Sequence, residues 1–166
     1  PPVVSTAMMN KIAQVLLLLV AVALNVSHAQ HATIAGAATV IDGDTLDVAG
    51  VRIRLWGIDA PESRQVCTVA GEDYPCGGRA TQHLRTLVGA RPVRCEPRDT
   101  DRYGRTVAIC RVEGRDLGAA MVRDGWAVAF VRYSMDYVVQ EQEARTARRG
   151  LWQGNFLAPE VWRRKG

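Results

Sequence analysis

Apolar and polar positions alternate with a period of two near the middle of the first half of the chain. Val51, Ile53 and Leu55 share one face, whereas the positions between them carry Arg52 and Arg54. Alternation of this kind is typical of a β-strand with one buried face. We therefore expect the Arg54 guanidinium to point away from the core, where it is available to a functional site.

The same pattern and its interruptions predict a β-rich first half. Further strands are predicted at 38–40, 45–48, 92–95 and 106–112. The first pair is joined through Asp42-Gly43, a dipeptide typical of tight hairpin turns. The second pair is separated by a turn-rich segment at 97–104. Residues 63–78 are predicted to form a loop, and the apolar residues 126–131 to be extended.

Helical periodicity appears in three later segments. Helices are predicted at 79–88, 117–123 and 134–149. Asp116 is a plausible N-cap for the second helix and Ser134 for the third, because short oxygen-bearing side chains accept hydrogen bonds from the first turn. Glu141 falls on the apolar face of the third helix, where a carboxylate needs a partner.

The N-terminal region has the pattern of an export signal. Lys11 precedes an apolar run at 12–24, and Ser27-His28-Ala29 offers small residues for cleavage. The run is short for a membrane span; an uncleaved anchor or a buried helix is the alternative. We expect residues 1–29 to be a signal peptide with upstream residues. Residues 30–166 would then form one domain, periplasmic or extracellular, without stable membrane association.

Charge changes this picture only slightly. The 166-residue chain has a net charge of +4, and 19 of its 21 basic residues are arginine. Arginine binds phosphate through two parallel hydrogen bonds, which suits a nucleic-acid partner. A GC-rich genome would produce the same bias, so composition alone does not decide between these explanations.

Four cysteines lie after the predicted signal, and four cysteines allow three pairings. We favour Cys67–Cys76 and Cys95–Cys110, because each pair closes a short local loop. Export makes disulfides permissible. The absence of any C-x-x-C spacing argues against a zinc site.

Candidate chemistry is concentrated in three short segments. They are Asp42-Gly43-Asp44-Thr45, the segment from Arg54 to Glu62, and the segment from Asp101 to Arg105. Carboxylates that hold a hard cation, flanked by fixed guanidinium groups, can bind and cleave a phosphodiester. Taken singly, the aspartates could be turn residues and the arginines surface residues of strands. Their joint occurrence favours a site.

The three segments, read with Val40-Ile41 before the first, resemble the signatures of the staphylococcal (micrococcal) nuclease family. Order and spacing match, and the likeness extends from about residue 38 to about residue 152. The resemblance implies an α+β fold, mainly β, with a five-stranded OB-type barrel and three helices. It also implies calcium-dependent hydrolysis of DNA and RNA to products with a 3′-phosphate and a 5′-hydroxyl.

The resemblance assigns the metal ligands. Asp44 and Asp59 would bind Ca²⁺ directly, together with the backbone carbonyl of Ala60. Asp42 would lie behind these ligands or bind through water. Calcium takes oxygen ligands and tolerates irregular geometry, which agrees with such a set.

The resemblance also assigns the catalytic and nucleotide-binding side chains. Glu62 would orient or deprotonate the attacking water, while Arg54 and Arg105 would bind the phosphate and its developing charge. Tyr103 and Tyr133 would line the nucleotide pocket, where bases stack on aromatic rings.

Three departures from the family pattern concern substrate binding. Val131 stands where a second tyrosine would align near Tyr133, and Ala60 replaces a threonine. The loop after Glu62 has few basic residues and is expected to be closed by Cys67–Cys76. We expect the same chemistry with a different hold on the substrate.

Other functional classes are less well supported. Only His83 lies within the predicted core region of the domain, so two-histidine ribonuclease chemistry is not predicted. The main alternative is an exported OB-fold module that binds nucleic acid without cutting it. We expect a monomer with DNA and RNA as substrates.

Overall fold

The computed structural model describes residues 32–165, and the predicted signal peptide lies outside this range. The strands, in chain order, are β1 (Ile34–Gly36), β2 (Ala38–Val40), β3 (Thr45–Val48), β4 (Val51–Leu55), β5 (Ile58–Asp59), β6 (Cys67–Val69), β7 (Glu72–Tyr74), β8 (Val93–Thr100), β9 (Thr106–Val112), β10 (Arg115–Asp116) and β11 (Val128–Ala129). The helices are α1 (Cys76–Val88), α2 (Leu117–Arg123), α3 (Val138–Thr146), a 3₁₀ helix (Gly150–Gln153) and α4 (Pro159–Arg163).

The main sheet closes on itself through its first strand. Its order is β1-β8-β9-β4-β3-β2, with β10 paired to β9. Only Ala37 separates β1 from β2, so one extended segment forms both ends of this order. β4 and β9 pair in parallel, whereas the other neighbours are antiparallel. With β1 and β2 counted as one bent strand, this is the predicted five-stranded OB-type barrel.

The barrel interior contains two of the three apolar positions of β4 that the alternation predicted, whereas Val51 at the start of the strand is exposed. Ile53 and Leu55 of β4 are buried, whereas Arg54 between them faces the other side. Helix α1 covers one end of the barrel with Leu84 and its apolar neighbours, and α2 adds Met121 to the same core. The fold is therefore α+β and mainly β, as expected.

Helix α2 has the predicted bounds. Asp116 is its N-cap, as predicted, since its side chain accepts a hydrogen bond from the Ala119 N–H at 3.0 Å. The predicted helix 134–149 is wrong in extent, since α3 covers only Val138–Thr146. Ser134 caps no helix; its hydroxyl instead accepts a hydrogen bond from the Asp136 N–H.

The structure also refines the predictions for three further segments. The turn-rich segment 97–104 is not all turn, because β8 runs to Thr100 through a register shift between Pro97 and Asp99. The loop 63–78 contains the β6–β7 hairpin. Within the extended segment 126–131, only Val128–Ala129 pairs, with β5.

Both predicted disulfides are present. Cys67 and Cys76 join the β6 end of the loop to the start of α1, with a Cα–Cα distance of 5.6 Å. Cys95 and Cys110 face each other across β8 and β9, 4.0 Å apart. Each bridge therefore connects elements that the chain order already places close together. No helix in residues 32–165 is both long and apolar enough to cross a bilayer.

Candidate active site

The first carboxylates of the site come from the loop between β2 and β3. Asp42 accepts a hydrogen bond from the Asp44 N–H through Oδ1 at 3.0 Å, a local turn that fixes the loop. Asp44 is only 4% exposed. Its Oδ2 accepts a hydrogen bond from the Ala60 N–H at 3.0 Å, and its Oδ1 accepts one from the Thr45 hydroxyl. The loop is thus tied to the end of β5.

Glycine at position 43 serves close packing and not a left-handed turn. A Cβ there would lie 2.7 Å from the Ala60 Cβ and 3.1 Å from the Ala80 Cβ. The two strands have the predicted bounds, and residues 41–44 connect them. Gly43 and the small Ala60 together let the aspartate loop lie against both β5 and α1.

Arg54 bridges the two buried aspartates. Its Nη1 lies 3.0 Å from Asp44 Oδ1, and its Nη2 lies 2.8 Å from Asp59 Oδ1. The Arg54 side chain is 17% exposed and Asp59 is 1% exposed, so this is a mostly buried ion pair. The guanidinium points away from the apolar core, as the alternation predicted. It is held among carboxylates and is not freely exposed.

The electrostatics follow from this burial. Burial raises the pKa of Asp44, and the neighbouring Asp42 raises it further, while Arg54 opposes the shift. Burial acts to lower the pKa of Arg54, but the charges of Asp44 and Asp59 outweigh it and the pKa is raised. Charged groups withdrawn from water in this way depend strongly on their partners.

A second arginine, missed by the sequence reasoning, enters the cluster from the C-terminal helix. Arg163 donates from Nη1 and Nη2 to Asp59 Oδ1 and Oδ2, at 3.0 and 2.9 Å. Its Nη1 also donates to Glu62 Oε1 at 2.7 Å. Arg163 and α4 lie beyond the region of family likeness, which is why no sequence signal pointed to them.

The position of Glu62 is set by a buried glutamine. Gln65 Oε1 accepts a hydrogen bond from the Glu62 N–H at 3.2 Å, and Gln65 Nε2 donates to the Leu157 carbonyl at 2.7 Å. A Cβ at Gly77 would lie 1.8 Å from the Glu62 carbonyl oxygen. The loop of Glu62 therefore rests directly on the first turn of α1 and on the C-terminal tail.

Arg105 is oriented by Asp101 in the turn between β8 and β9. Asp101 Oδ2 accepts a hydrogen bond from Arg105 Nε at 2.6 Å. Asp101 Oδ1 accepts from the backbone N–H groups of Tyr103 and Arg105. Despite some burial, these hydrogen bonds hold the pKa of Asp101 below its usual value. Because Nε is engaged by Asp101, the terminal amino groups of Arg105 are available to a ligand.

One cleft of about 810 Å³ contains the predicted catalytic and nucleotide-binding side chains. Its lining includes Arg54, Glu62, Arg105, Tyr103 and Tyr133. Both tyrosines are mostly exposed, as stacking surfaces must be. The predicted residues of the three segments are thus brought to one place. His83 instead pairs with Asp124, at 2.9 Å.

The donor chemistry of the cluster fits a hard divalent cation. Asp44, Asp59 and Glu62 form ion pairs with Arg54 and Arg163, and Asp42 lies beside Asp44, so four carboxylates and two guanidinium groups make up this cluster. The atoms of these carboxylates that could bind a metal are oxygens, the ligand type that Ca²⁺ prefers. Within residues 32–165, no three acidic, histidine or cysteine side chains form a ready-made metal cage. Guanidinium groups stand between these carboxylates instead.

Comparison with known proteins identifies the family. Residues 52–154 match the model of the staphylococcal nuclease homologues. The chain belongs to the staphylococcal nuclease family. The matched region contains Arg54, Asp59, Glu62 and Arg105, whereas Asp44 precedes it.

Curated bacterial relatives match about three quarters of the chain. The chain is 37% identical over 134 residues to an uncharacterized endonuclease of Escherichia coli O157:H7, covering 76% of this chain and 82% of that protein. It is 35% identical over 143 residues to the micrococcal nuclease of Shigella flexneri, covering 75% and 77%. These named relatives support a nuclease.

A relative with a different name is also similar. The succinoglycan biosynthesis protein ExoI of Rhizobium meliloti is 41% identical over 123 residues, which are 72% of this chain. The match spans 64% of that protein's length.

Proposed function

We propose that this nuclease is an exported, calcium-dependent phosphodiesterase that hydrolyses DNA and RNA with low sequence specificity. Its products would carry a 3′-phosphate and a 5′-hydroxyl, as the family resemblance implies. The observation that carries the proposal is Asp44 in the same cleft as Arg54, Arg105 and Glu62, with the buried Asp59 joined to Asp44 through Arg54.

The residues that would hold Ca²⁺ are Asp44, Asp59 and the Ala60 carbonyl, with Asp42 behind them. When bound, the cation would polarise a phosphoryl oxygen and offset the charge that develops at phosphorus. Replacement of the family's threonine by Ala60 leaves a backbone carbonyl ligand possible. The small side chain is also what fits against Gly43.

Glu62 is placed to receive or orient a water molecule at the edge of the cluster. A carboxylate in general is a weak base near neutral pH, so positioning the water is as reasonable a role as removing its proton. Arg54 and Arg105 approach the cleft from different elements and would donate to different phosphate oxygens. Arginine pairs suit this task because each guanidinium can donate two parallel hydrogen bonds.

Substrate binding would rely on the exposed aromatic rings. The guanidinium groups of Arg102 and Arg105 lie over the Tyr103 ring, at 4.7 and 5.6 Å from the ring centroid. Tyr133 is supported by Phe130, with ring centroids 5.1 Å apart. Rings of this kind stack on any base, which agrees with low sequence specificity.

We also propose that the protein acts as a monomer.

Export is proposed from two features. The N-terminal pattern is that of a signal peptide, and both disulfides are of the kind that persists in oxidising compartments. The mature protein would be periplasmic or extracellular.

The proposal is tested by neutral substitutions in the cleft. Glu62→Gln and Arg105→Gln should each lower turnover of plasmid DNA by about 10²–10³-fold, because a positioned charged partner of the transition state is lost. Arg85→Gln, an exposed position on α1, is the charge-matched control and should retain activity. Near-normal turnover of the Arg105→Gln protein would contradict its role. DNA binding without cleavage by the unaltered protein would favour the non-catalytic module.

A further inference from the structure

Arg163 is hydrogen-bonded to Asp59, the buried carboxylate proposed as a direct Ca²⁺ ligand. It forms a two-pronged contact with both oxygens of Asp59, and one of those oxygens also accepts from Arg54. A carboxylate engaged on both oxygens by a guanidinium fork has little capacity left for a cation. Glu62 shares the same guanidinium, so one side chain of the C-terminal helix engages two carboxylates of the cluster.

Arg163 pairs with two carboxylates, and the helix that carries it is short. The charges of Asp59 and Glu62 raise the pKa of Arg163, although partial burial opposes this. Helix α4 has five residues, and Pro159 is its buried member. Its other ion pairs, from Glu160 to Arg132 and Arg164, are long, at 3.8 and 3.9 Å. Pro159 is buried, whereas the other side chains of α4 are partly buried or exposed, so the contacts with the cluster are a substantial part of what holds the helix against the barrel.

The chain is held in place at Leu157, so α4 could move about the residues that follow this fixed point. The Leu157 carbonyl accepts the hydrogen bond from buried Gln65. Ala158 follows in an extended conformation before the helix begins. A displacement of α4 therefore needs backbone changes at only one or two residues, while the support of Glu62 through Gln65 stays in place.

From these contacts we propose that Arg163 is an internal cation that competes with Ca²⁺ for Asp59, and that metal binding releases helix α4. The inference rests on the proposed function, since it takes Asp59 as a metal ligand. Removing Arg163 frees Asp59 Oδ2, leaves Oδ1 with Arg54 alone, and removes one positive charge from the cluster. These changes favour a divalent cation. The C-terminal helix is thus an autoinhibitory latch whose release frees Glu62 for water at the same time.

The test is calorimetric titration of the full chain with Ca²⁺ alone, without nucleic acid. Arg163→Gln should bind Ca²⁺ about 5-fold or more tightly than the unaltered protein, the low end of typical coupling between linked sites. Arg164→Gln removes the same charge one residue further along the chain, where the side chain is 65% exposed and lies 3.9 Å from the Glu160 carboxylate. It should leave the Ca²⁺ affinity unchanged.

Hydrogen exchange supplies a readout that needs no substitution. In the unaltered protein, saturation with Ca²⁺ should accelerate amide exchange in residues 160–164, while α1 stays protected. Equal or weaker Ca²⁺ binding by Arg163→Gln, or unchanged exchange in α4 at saturation, would overturn the latch.

The outcomes separate the latch from the proposed function. Calcium-dependent cleavage by the unaltered protein, with no gain of affinity in Arg163→Gln, removes the latch and leaves the nuclease mechanism. If neither protein binds Ca²⁺, both ideas fail. Binding by Arg163→Gln alone supports a latch that is closed in the unaltered protein.

Discussion

Asp101 holds Arg105 by its Nε, at 2.6 Å, and so aims the rest of the guanidinium into the cleft. The same carboxylate accepts two backbone hydrogen bonds from the turn between β8 and β9. One side chain therefore shapes the turn and orients the arginine that the turn presents. Asp101 touches no substrate in this account, and its role is to position Arg105.

Asp101→Asn should lower turnover by about 10-fold or more, because misplacing a catalytic group by a small distance is costly. The protein should remain folded, since the turn is at the surface. Turnover is measured on plasmid DNA, and the Arg105 Nε–H resonance is followed by NMR. If the resonance moves and turnover does not, the orientation of Arg105 is not what limits the reaction.

Arg54→Gln should reduce both stability and activity. The change leaves Asp44 and Asp59 buried with one partner fewer, and breaking a buried ion pair on one side typically costs about 3–5 kcal/mol. Denaturant unfolding in the presence of a chelator measures the loss. The double variant Arg54→Gln with Asp44→Asn should recover part of the stability but none of the activity. An additive loss in the double variant would contradict the coupling.

Gly77→Ala should disturb the active site through the backbone. The added Cβ would lie 1.8 Å from the Glu62 carbonyl oxygen, so the loop of Glu62 must move. We expect a loss of stability of about 1–3 kcal/mol together with a clear loss of turnover. Thermal unfolding and plasmid digestion measure the two effects.

Gly78→Ala is the matched control for this change. The nearest atom to a Cβ at Gly78 is the Pro75 Cβ, at 3.9 Å. Alanine in a helix is favoured over glycine by up to about 1 kcal/mol. The variant should therefore be as stable as the unaltered protein or more so, with normal turnover. Equal behaviour of the two variants would show that the contact with Glu62 is unimportant.

The two disulfides should differ in what they protect. Each is expected to contribute about 3 kcal/mol by closing a short loop in the unfolded chain. Loss of Cys67–Cys76 should also lower turnover, because Cys76 precedes Gly77 and the support of Glu62. Loss of Cys95–Cys110, within the sheet, should affect stability alone. Paired cysteine-to-alanine variants test this difference.

Peptide mapping of the unreduced protein by mass spectrometry checks the pairing itself. It should recover the Cys67–Cys76 and Cys95–Cys110 peptides. Free thiols or a crossed pairing in the folded protein would contradict the bridges of the structure.

Local pattern predicted the elements of the fold, and tertiary contacts explain where it failed. The alternation around Arg54 gave the strand and the direction of the side chain, because burial of one face is a local constraint. Gly43 was read as a turn residue, yet its role is packing against Ala60 and Ala80, which are distant in sequence. Glu141 seemed misplaced on an apolar helix face, but it accepts the Ala129 N–H at 3.0 Å.

The contribution of Arg163 to the candidate site could not be predicted from the chain. It is 104 positions from Asp59 and belongs to a short helix without a strong periodic pattern. Nothing in the sequence separates Arg163 from the neighbouring arginines of the tail. In the structure its side chain is 37% exposed. Only the folded arrangement shows that it meets the carboxylates of the cluster.

The most direct measurement is plasmid digestion by the protein after complete removal of divalent ions, with and without added Ca²⁺. The proposed mechanism predicts no cleavage in the chelator and full recovery on addition of Ca²⁺, while an Asp44→Asn protein should recover little activity. Products should carry 3′-phosphate ends. Cleavage that persists in the chelator would contradict the metal mechanism.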